Sequence, residues 1–345
     1  MKIEELAISE GIWNAVAKDT SDIVLKSSTR FLRNIEGFLF PSKLGLKEKK
    51  GVESLVIEVL KSNEYLEEFS IYSLDSSSDF DRKILFERNI LKNEKQQGGI
   101  LVLSNDQRYY FLLNVSDHVE LITQKSGYQC EEIYLYGKKL MLSMENELDF
   151  AFSSSFGYLT SIPNQSGSGV ELIITLHLPG LVFSSKINEI IVEFEKQGLG
   201  VRSSWIDGYY EVYNKFCGGC SEKSMYESSV KGFQRAIQCE RESRERMYRS
   251  NKSLVEDKVW RSYGIVLSSR IISLHEALDL LSNIRLGISL NIIHYLTIKD
   301  INLLIHFIQD YHLKKRYNIR DEGNVSFNID ELRAQFLRDY LKEVI

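Results

Sequence analysis

Residues 159–169, LTSIPNQSGSG, gather two glycines, a proline and several hydroxyls in one short run. Such a composition lets backbone N–H groups converge on a phosphate. Glu171, a fixed negative charge, follows at once. A second cluster, CGGC, carries Cys217 and Cys220 at a spacing that suits half a zinc site, a redox pair, or a glycine turn with two incidental thiols. Zinc needs further ligands and only Cys130 and Cys239 remain as thiols, so no metal site is predicted. His118, beside Asp117, suits a general base or a structural histidine. Arg30 and Arg33 can pair with surface carboxylates. His177, inside the apolar run LIITLHLP, reads as a core or cleft-flanking histidine rather than a metal ligand. The pairs Tyr109, Tyr110 and Tyr209, Tyr210 read as strand packing rather than a stacking platform.

The elements around these residues follow from periodicity. SLVIEVLKSNEYLEEF (54–69) has apolar residues at helical spacing, whereas GGILVLSNDQRYYFLLN reads as two apolar strands about the turn Asn105-Asp106-Gln107. That hairpin makes the sheet at least partly antiparallel. VELIITLHLP is a strand stopped by Pro179, and SSKINEIIVEFEKQGLG an amphipathic helix with Ile187, Ile190, Ile191 and Phe194 on one face and Gly198 at its end. VRSSWIDGYYEVYN reads as another strand and loop. From about Glu222 the pattern is helical nearly to the end, with a polar joint near residue 250 in ERMYRSNKSLVEDK. The expected architecture is an α+β domain over 1–250, with a small N-terminal lobe to about 80 and a larger sheet lobe after it, then an all-α domain over 251–345.

Length and charge narrow the function. At 345 residues the chain exceeds one ordinary core. Its 43 basic and 48 acidic residues are well mixed, leaving no basic stripe for nucleic acid and no polybasic membrane segment. No run of about 18 apolar residues and no leader pattern is visible, so a cytoplasmic location is expected.

Several ordered stretches carry a family resemblance: DIVLKSSTRFLRNIEGFLFPS, LLNVSDHVEL, FAFSSSFGYLTSIPNQSGSG, LHLPGLV and GLGVRSSW. They resemble the ATP:guanido phosphotransferases. The later stretch LVEDKVWRSYGIVLSSRIISLHEALDLLSNIRLGISLNII is similar to the extra helical domain of bacterial protein-arginine kinases. The resemblance implies an antiparallel sheet flanked by helices, ATP and Mg as cofactors, and a helical domain that forms a homodimer and can hold a phosphoarginine. It also implies a setting in Clp-linked protein quality control, with a zinc-binding activator protein and a Clp chaperone as partners.

The same resemblance exposes departures. In KSSTR, Ser27 and Arg30 match the phosphate motif, but Ser28 stands where an Arg belongs. In NVSDHVE the catalytic Glu position holds Val115 and a phosphate Arg position holds Glu120. Ile162 stands for the loop's Cys and Glu171 for the Arg beyond it. Asn89, in FERNIL, occupies an adenine-side His position. Arg202 is retained, and Asp207 is a shorter carboxylate at the second Glu position. In IDELRA, Ile329 replaces the first Arg of the phosphoarginine motif while Asp330 and Arg333 remain.

Phosphoryl transfer to a guanidinium needs Arg groups around the phosphates and carboxylates around the acceptor. Unit charges about 4 Å apart at an effective dielectric near 20 interact by roughly 4 kcal/mol, so an Arg-to-Glu change exchanges attraction for comparable repulsion. Micromolar to millimolar nucleotide affinity is only about 4 to 8 kcal/mol in all. The sequence therefore predicts a catalytically degenerate relative kept for its shape. Its alternatives are a weak kinase using Arg30, Arg202 and Asp207, or a binder of another ligand in the former nucleotide cleft.

Overall fold

A computed structural model describes residues 2–11, 21–206, 208–219, 221–319 and 328–344. Its centre is an eight-stranded sheet in the order β2-β3-β4-β5-β1-β8-β10-β9, every pairing antiparallel. The strands are β1 (Val24–Arg33), β2 (Phe69–Ser73), β3 (Ile100–Ser104), β4 (Tyr109–Leu113), β5 (Val119–Ser126), β8 (Val170–His177), β9 (Leu199–Ser203) and β10 (Tyr209–Asn214). A short hairpin, β6 (Phe152–Ser153) and β7 (Gly157–Tyr158), stands apart from it.

One face of the sheet packs on α2 (Leu46–Ser62), α4 (Cys130–Glu145) and α7 (Glu222–Ser250), forming a core that includes Phe31, Val56, Leu121, Met141, Leu172 and Phe233. The helix α4 approaches closely because Gly137 lies against the Phe31 ring, where a Cβ would stand 2.3 Å from Cε2. Between these elements run α1 (Ile3–Leu6) and α3 (Asp79–Glu87), which build a separate apolar cluster with Leu101, Leu103 and Tyr110. Two further helices, α5 (Pro179–Phe183) and α6 (Ile187–Lys196), link β8 to β9, and Pro179 opens α5 after the strand ends.

The C-terminal helices are α8 (Lys252–Ser268), α9 (Leu274–Ser289), α10 (Ile298–Phe307), α11 (Asp310–Arg316) and α12 (Ile329–Val344). They enclose their own core, which also takes in Leu25, Ile206 and Tyr209 from the sheet domain. His177, at the end of β8, marks this joint: it accepts at Nδ1 from Arg244 Nη2 (3.2 Å) and donates from Nε2 to Ser282 Oγ (2.8 Å). Burial, reinforced by Arg244 and Arg285, holds the imidazole well below its ordinary value and so neutral. No helix among the described residues is long and apolar enough to cross a membrane.

Two elements differ from the sequence reading. The helix expected over 54–69 begins earlier, at Leu46, where Glu48 closes the turn onto the Gly45 amide, and it stops at Ser62. Residues from Phe69 onward belong to β2 instead. VRSSWIDGYYEVYN supplies β9 and β10, a pair of strands rather than one.

Candidate functional site

Because side chains alternate along a strand, Lys26, Ser28 and Arg30 share one face of β1, opposite the one covered by α2, α4 and α7. Arg30 lies directly across the ladder from Glu171 on β8. On the other side its partner is Ile122, so Glu120 on β5 is the diagonal neighbour on the same face. Arg30 donates from Nη2 and Nε to Glu120 Oε2, at 2.6 and 3.0 Å. Its Nη1 stands 3.7 Å from Glu171 Oε2. The other Glu171 oxygen stands 3.7 Å from Arg202 Nη1, and Arg202 Nε donates to Glu211 Oε2 at 2.7 Å. A row of alternating charge, Glu120–Arg30–Glu171–Arg202–Glu211, therefore crosses the sheet from β5 to β9.

The three carboxylates are 2%, 4% and 8% exposed, while the Arg202 side chain is 35% exposed at the open end of the row. Burial pushes the Glu120 carboxyl up, but Arg30 and the Ser116 donors outweigh it and leave the carboxyl below its ordinary value. Arg30 is raised on balance, since Glu120 and then Glu171 overcome the desolvation that lowers it. The same holds for Arg202 with Glu211 and Glu171. Lys26, buried beside the row, is lowered to about 8 by desolvation, against the pull of Glu211. Glu171 Oε2 receives no hydrogen bond; Arg30 approaches it to 3.7 Å, and Lys92 feels the same carboxylate.

The loop over 159–169 spends its polar groups on itself and its neighbours. Thr160 N donates to Ser166 Oγ, Gln165 N to the Ile162 carbonyl, Ser166 N to Pro163, Gly167 N to Tyr158 and Ser168 N to Cys217, at 2.9–3.2 Å. Ser161 N donates to Asp117 Oδ1 (2.7 Å) and Ser161 Oγ to the Ser116 carbonyl (2.7 Å). Ser116 in turn donates from N and Oγ to Glu120 Oε1, at 2.9 and 2.5 Å. These amides are committed inward rather than gathered on one external point. His118 shapes the same region: it accepts at Nδ1 from Ile35 N (2.9 Å), and Nε2 donates to the Leu39 carbonyl (2.9 Å).

The remaining predicted residues separate by strand face and location. Ser28 lies on the polar face. Ser27, expected beside it at the phosphates, points instead to the helix side, because neighbours on a strand face opposite ways. Its hydroxyl donates to the Gly127 carbonyl at 2.8 Å. Val115 packs against the α1–α3 cluster and offers no oxygen. Asn89 has φ +55 and, with its amide turned so that Oδ1 faces them, accepts from Trp205 Nε1 (3.0 Å) and Lys26 Nζ (3.3 Å). Arg33 is buried with its guanidinium over the Tyr158 ring, 3.4 Å from the centroid, away from the row. Asp207 and Cys220 lie outside the described residues.

In the helical domain Arg333 is fully buried. It donates to the carbonyls of Ile308 (2.9 Å) and Ile272 (3.0 Å) and pairs with Asp330 and Asp310. Its guanidinium is thus held by three helices and a connecting segment rather than presented to an anion. Cys217 is likewise enclosed: its thiol donates to the Val170 carbonyl at 3.1 Å, and burial pushes it up to about 11. No group of three or more His, Cys, Asp or Glu side chains among the described residues is placed to hold a metal.

Sequence reasoning missed Glu211, Ser116 and Lys26. A signal for Glu211 existed, a lone charge in the apolar strand YYEVYN, but only the β9–β10 register joins it to Arg202.

A triphosphate requires a local excess of positive charge. Here Arg30 and Arg202 already face carboxylates that would meet a phosphate with repulsion, so the two guanidiniums as placed do not fit the ATP phosphates, and Lys26 and Lys92 are the other cations beside the row.

Comparison with known proteins bears on the whole chain. Residues 51–243 match the family described as ATP:guanido phosphotransferase, C-terminal catalytic domain, and residues 252–345 match the protein-arginine kinase McsB C-terminal domain. The protein-arginine kinase of Syntrophomonas wolfei is 31% identical over 342 residues, covering 95% of this chain and 94% of that one. That of Halalkalibacterium halodurans is 31% identical over 349 residues, covering 97% of each. Among solved structures, the duplicated taurocyamine kinase of Schistosoma mansoni with bound transition state analog components gives a TM-score of 0.59 at 22% identity, covering 65% of this chain and 34% of that one. Lombricine kinase gives 0.55 at 18% identity, covering 68% and 70%. At these identities the two structures speak for the fold alone.

Proposed function

The chain belongs to the ATP:guanido phosphotransferase family, in its protein-arginine kinase branch, and from that premise we propose a homologue that has lost most or all phosphotransfer and acts through its shape. The observation that supports this reading is the row Glu120–Arg30–Glu171–Arg202–Glu211, in which the two arginines at phosphate-motif positions are already paired with carboxylates of the protein. Val115 adds to it: an alkyl group neither orients a guanidinium nor accepts its proton, and loss of such a group costs on the order of a hundredfold in rate. The protein works as a cytoplasmic homodimer joined through the C-terminal helices, in Clp-linked quality control, with a zinc-binding activator and a Clp chaperone as partners.

The test is a calorimetric titration with Mg-ATP, then mass spectrometry for phosphoarginine after incubation with the activator protein and a substrate protein. The expected result is no saturable heat at millimolar nucleotide and no phosphoarginine. Saturable binding with phosphoarginine formation would instead establish the second reading, a weak kinase. That reading draws on the half-exposed Arg202 and on the loose 3.7 Å contacts of Glu171.

A further inference from the structure

The two domains meet at a cavity of about 180 Å³, bounded by α5 and α7 on one side and by α8 and α9 on the other. The buried part of its wall is apolar: Met247, Val255 and Leu286 form a small cluster of their own, apart from the core of either domain. Phe183 and Leu254 extend that wall outward, 43% and 56% exposed. Gly208 lines the cavity without a side chain; its φ of +81 favours glycine, and a Cβ there would stand 3.7 Å from Ser282 Oγ. This place is separate from the arginine row. His177, which holds Ser282, is six residues along β8 from Glu171, roughly 20 Å at the rise of a strand. Tyr210 on the cavity wall and Glu211 in the row point to opposite faces of β10.

Helical spacing decides which polar groups face this space. Asp279, Ser282, Asn283 and Leu286 recur at i, i+3, i+4 and i+7 and so share one face of α9, opposite Lys258 on α8. Ser282 is occupied by His177. Asn283 is not: it is 6% exposed, lines the cavity, and its amide makes no hydrogen bond among the described residues. Buried amides are nearly always partnered, so one left open into a cavity points to a ligand. Lys258 and Asp279 line the same cavity and form no ion pair with each other or with another described side chain. An apolar cavity of about 150 Å³ accommodates benzene, so this one accommodates a hydrocarbon body of roughly that size. The polar groups supply one charge of each sign and one amide. Together they complement a head that carries both an ammonium and a carboxylate, and they discriminate against a head with one charge alone.

We propose that this interdomain cavity binds a small zwitterion with an apolar body, of the class of the aliphatic α-amino acids. Its carboxylate lies on Lys258 and the Asn283 amide, its ammonium on Asp279, and its hydrocarbon against Met247, Val255 and Leu286. The site stands independently of whether the arginine row is active. Isothermal calorimetry on the full chain uses L-leucine, isocaproate and isoamylamine, which each lack one of its charged groups, and glycine, which lacks its body. Leucine is expected to saturate one site per chain, and each of the other three to bind at least about tenfold more weakly. The Met247 methyl resonance should shift in step with leucine occupancy, which locates the ligand. Asn283→Ala removes an amide that has no partner among the described residues, so it should keep the thermal midpoint and weaken leucine at least about tenfold. Lys258→Gln, at an exposed side chain, should weaken leucine likewise and replaces the first variant if that one fails to fold. Absence of saturable heat at millimolar leucine, equal affinity for glycine or for either single-charge analogue, an unmoved Met247 resonance, or full affinity in either folded variant would each overturn the proposal.

Discussion

Arg30 and Glu171 face each other across the β1–β8 ladder with Nη1 and Oε2 3.7 Å apart, and the second Glu171 oxygen is the same distance from Arg202. One carboxylate thus divides itself between two guanidiniums, while Glu120 and Glu211 hold the outer side of each. Each guanidinium is thus paired within the protein, and Lys26 and Lys92 stand beside a row that holds three carboxylates to two guanidiniums. A buried row of this kind contributes little net stability compared with apolar packing, but losing one member leaves an uncompensated charge.

Removing Glu120 alone should therefore be costly. Glu120→Leu is expected to destabilise the protein by about 3 to 5 kcal/mol in urea unfolding, because Arg30 keeps its charge without its short-range partner. Combining it with Arg30→Met should recover most of that loss. A double variant as unstable as the sum of the two singles would show that the pair is not coupled.

Acid should reveal the same pair. Arg30 and Ser116 hold the folded Glu120 carboxyl below its ordinary value of 4.5. Its contribution is present above that value and disappears as pH falls through the lower, folded one. Urea midpoints measured from neutral pH down through the carboxylate range should fall more steeply for the native chain than for Glu120→Gln. Parallel curves would remove Glu120 from the acid response.

The hairpin of β3 and β4 and the strand β8 were legible because short apolar runs flanked a turn or a proline. The length of α2 was not, since Leu66 and Phe69 continue a helical spacing, yet the helix stops at Ser62 and Phe69 pairs with Ser104 of β3; short apolar runs fit both periods until a partner strand decides. At the site, departures from the family's motifs pointed to Glu120 and Glu171 as charge reversals. They could not reveal that these residues meet Arg30 and Arg202, because that depends on the β1–β5 and β1–β8 registers. Ser27 illustrates the converse: adjacency in a motif suggested a shared task, and strand alternation sends it to the other face.

The thiols offer a check on burial. Desolvation raises Cys130 to about 12 and Cys217 to about 11, and Cys239 is raised for the same reason. At pH 8 alkylation of Cys130 and Cys217 should be on the order of a hundredfold or more slower than that of free cysteine. Urea should abolish the difference, as read by mass spectrometry. Rapid labelling of Cys217 in the folded chain would contradict its enclosure under β8.

The glycine loop that opens onto Glu171 has a structural task that can be measured. Gly167 has φ +120, and a Cβ there would stand 2.3 Å from the Cys217 carbonyl oxygen, the acceptor of the Ser168 amide. Gly219 has φ +82 with nothing within 4 Å of a Cβ. Gly219→Ala therefore meets backbone strain alone, about 1 kcal/mol, whereas Gly167→Ala must also push the loop off the Cys217–Gly218 segment that follows β10 and should cost about 2 kcal/mol or more. Detachment has its own signature, faster alkylation of Cys217 below the unfolding transition. If both variants lost equal stability and Cys217 stayed protected, the loop would not be fixed by this contact.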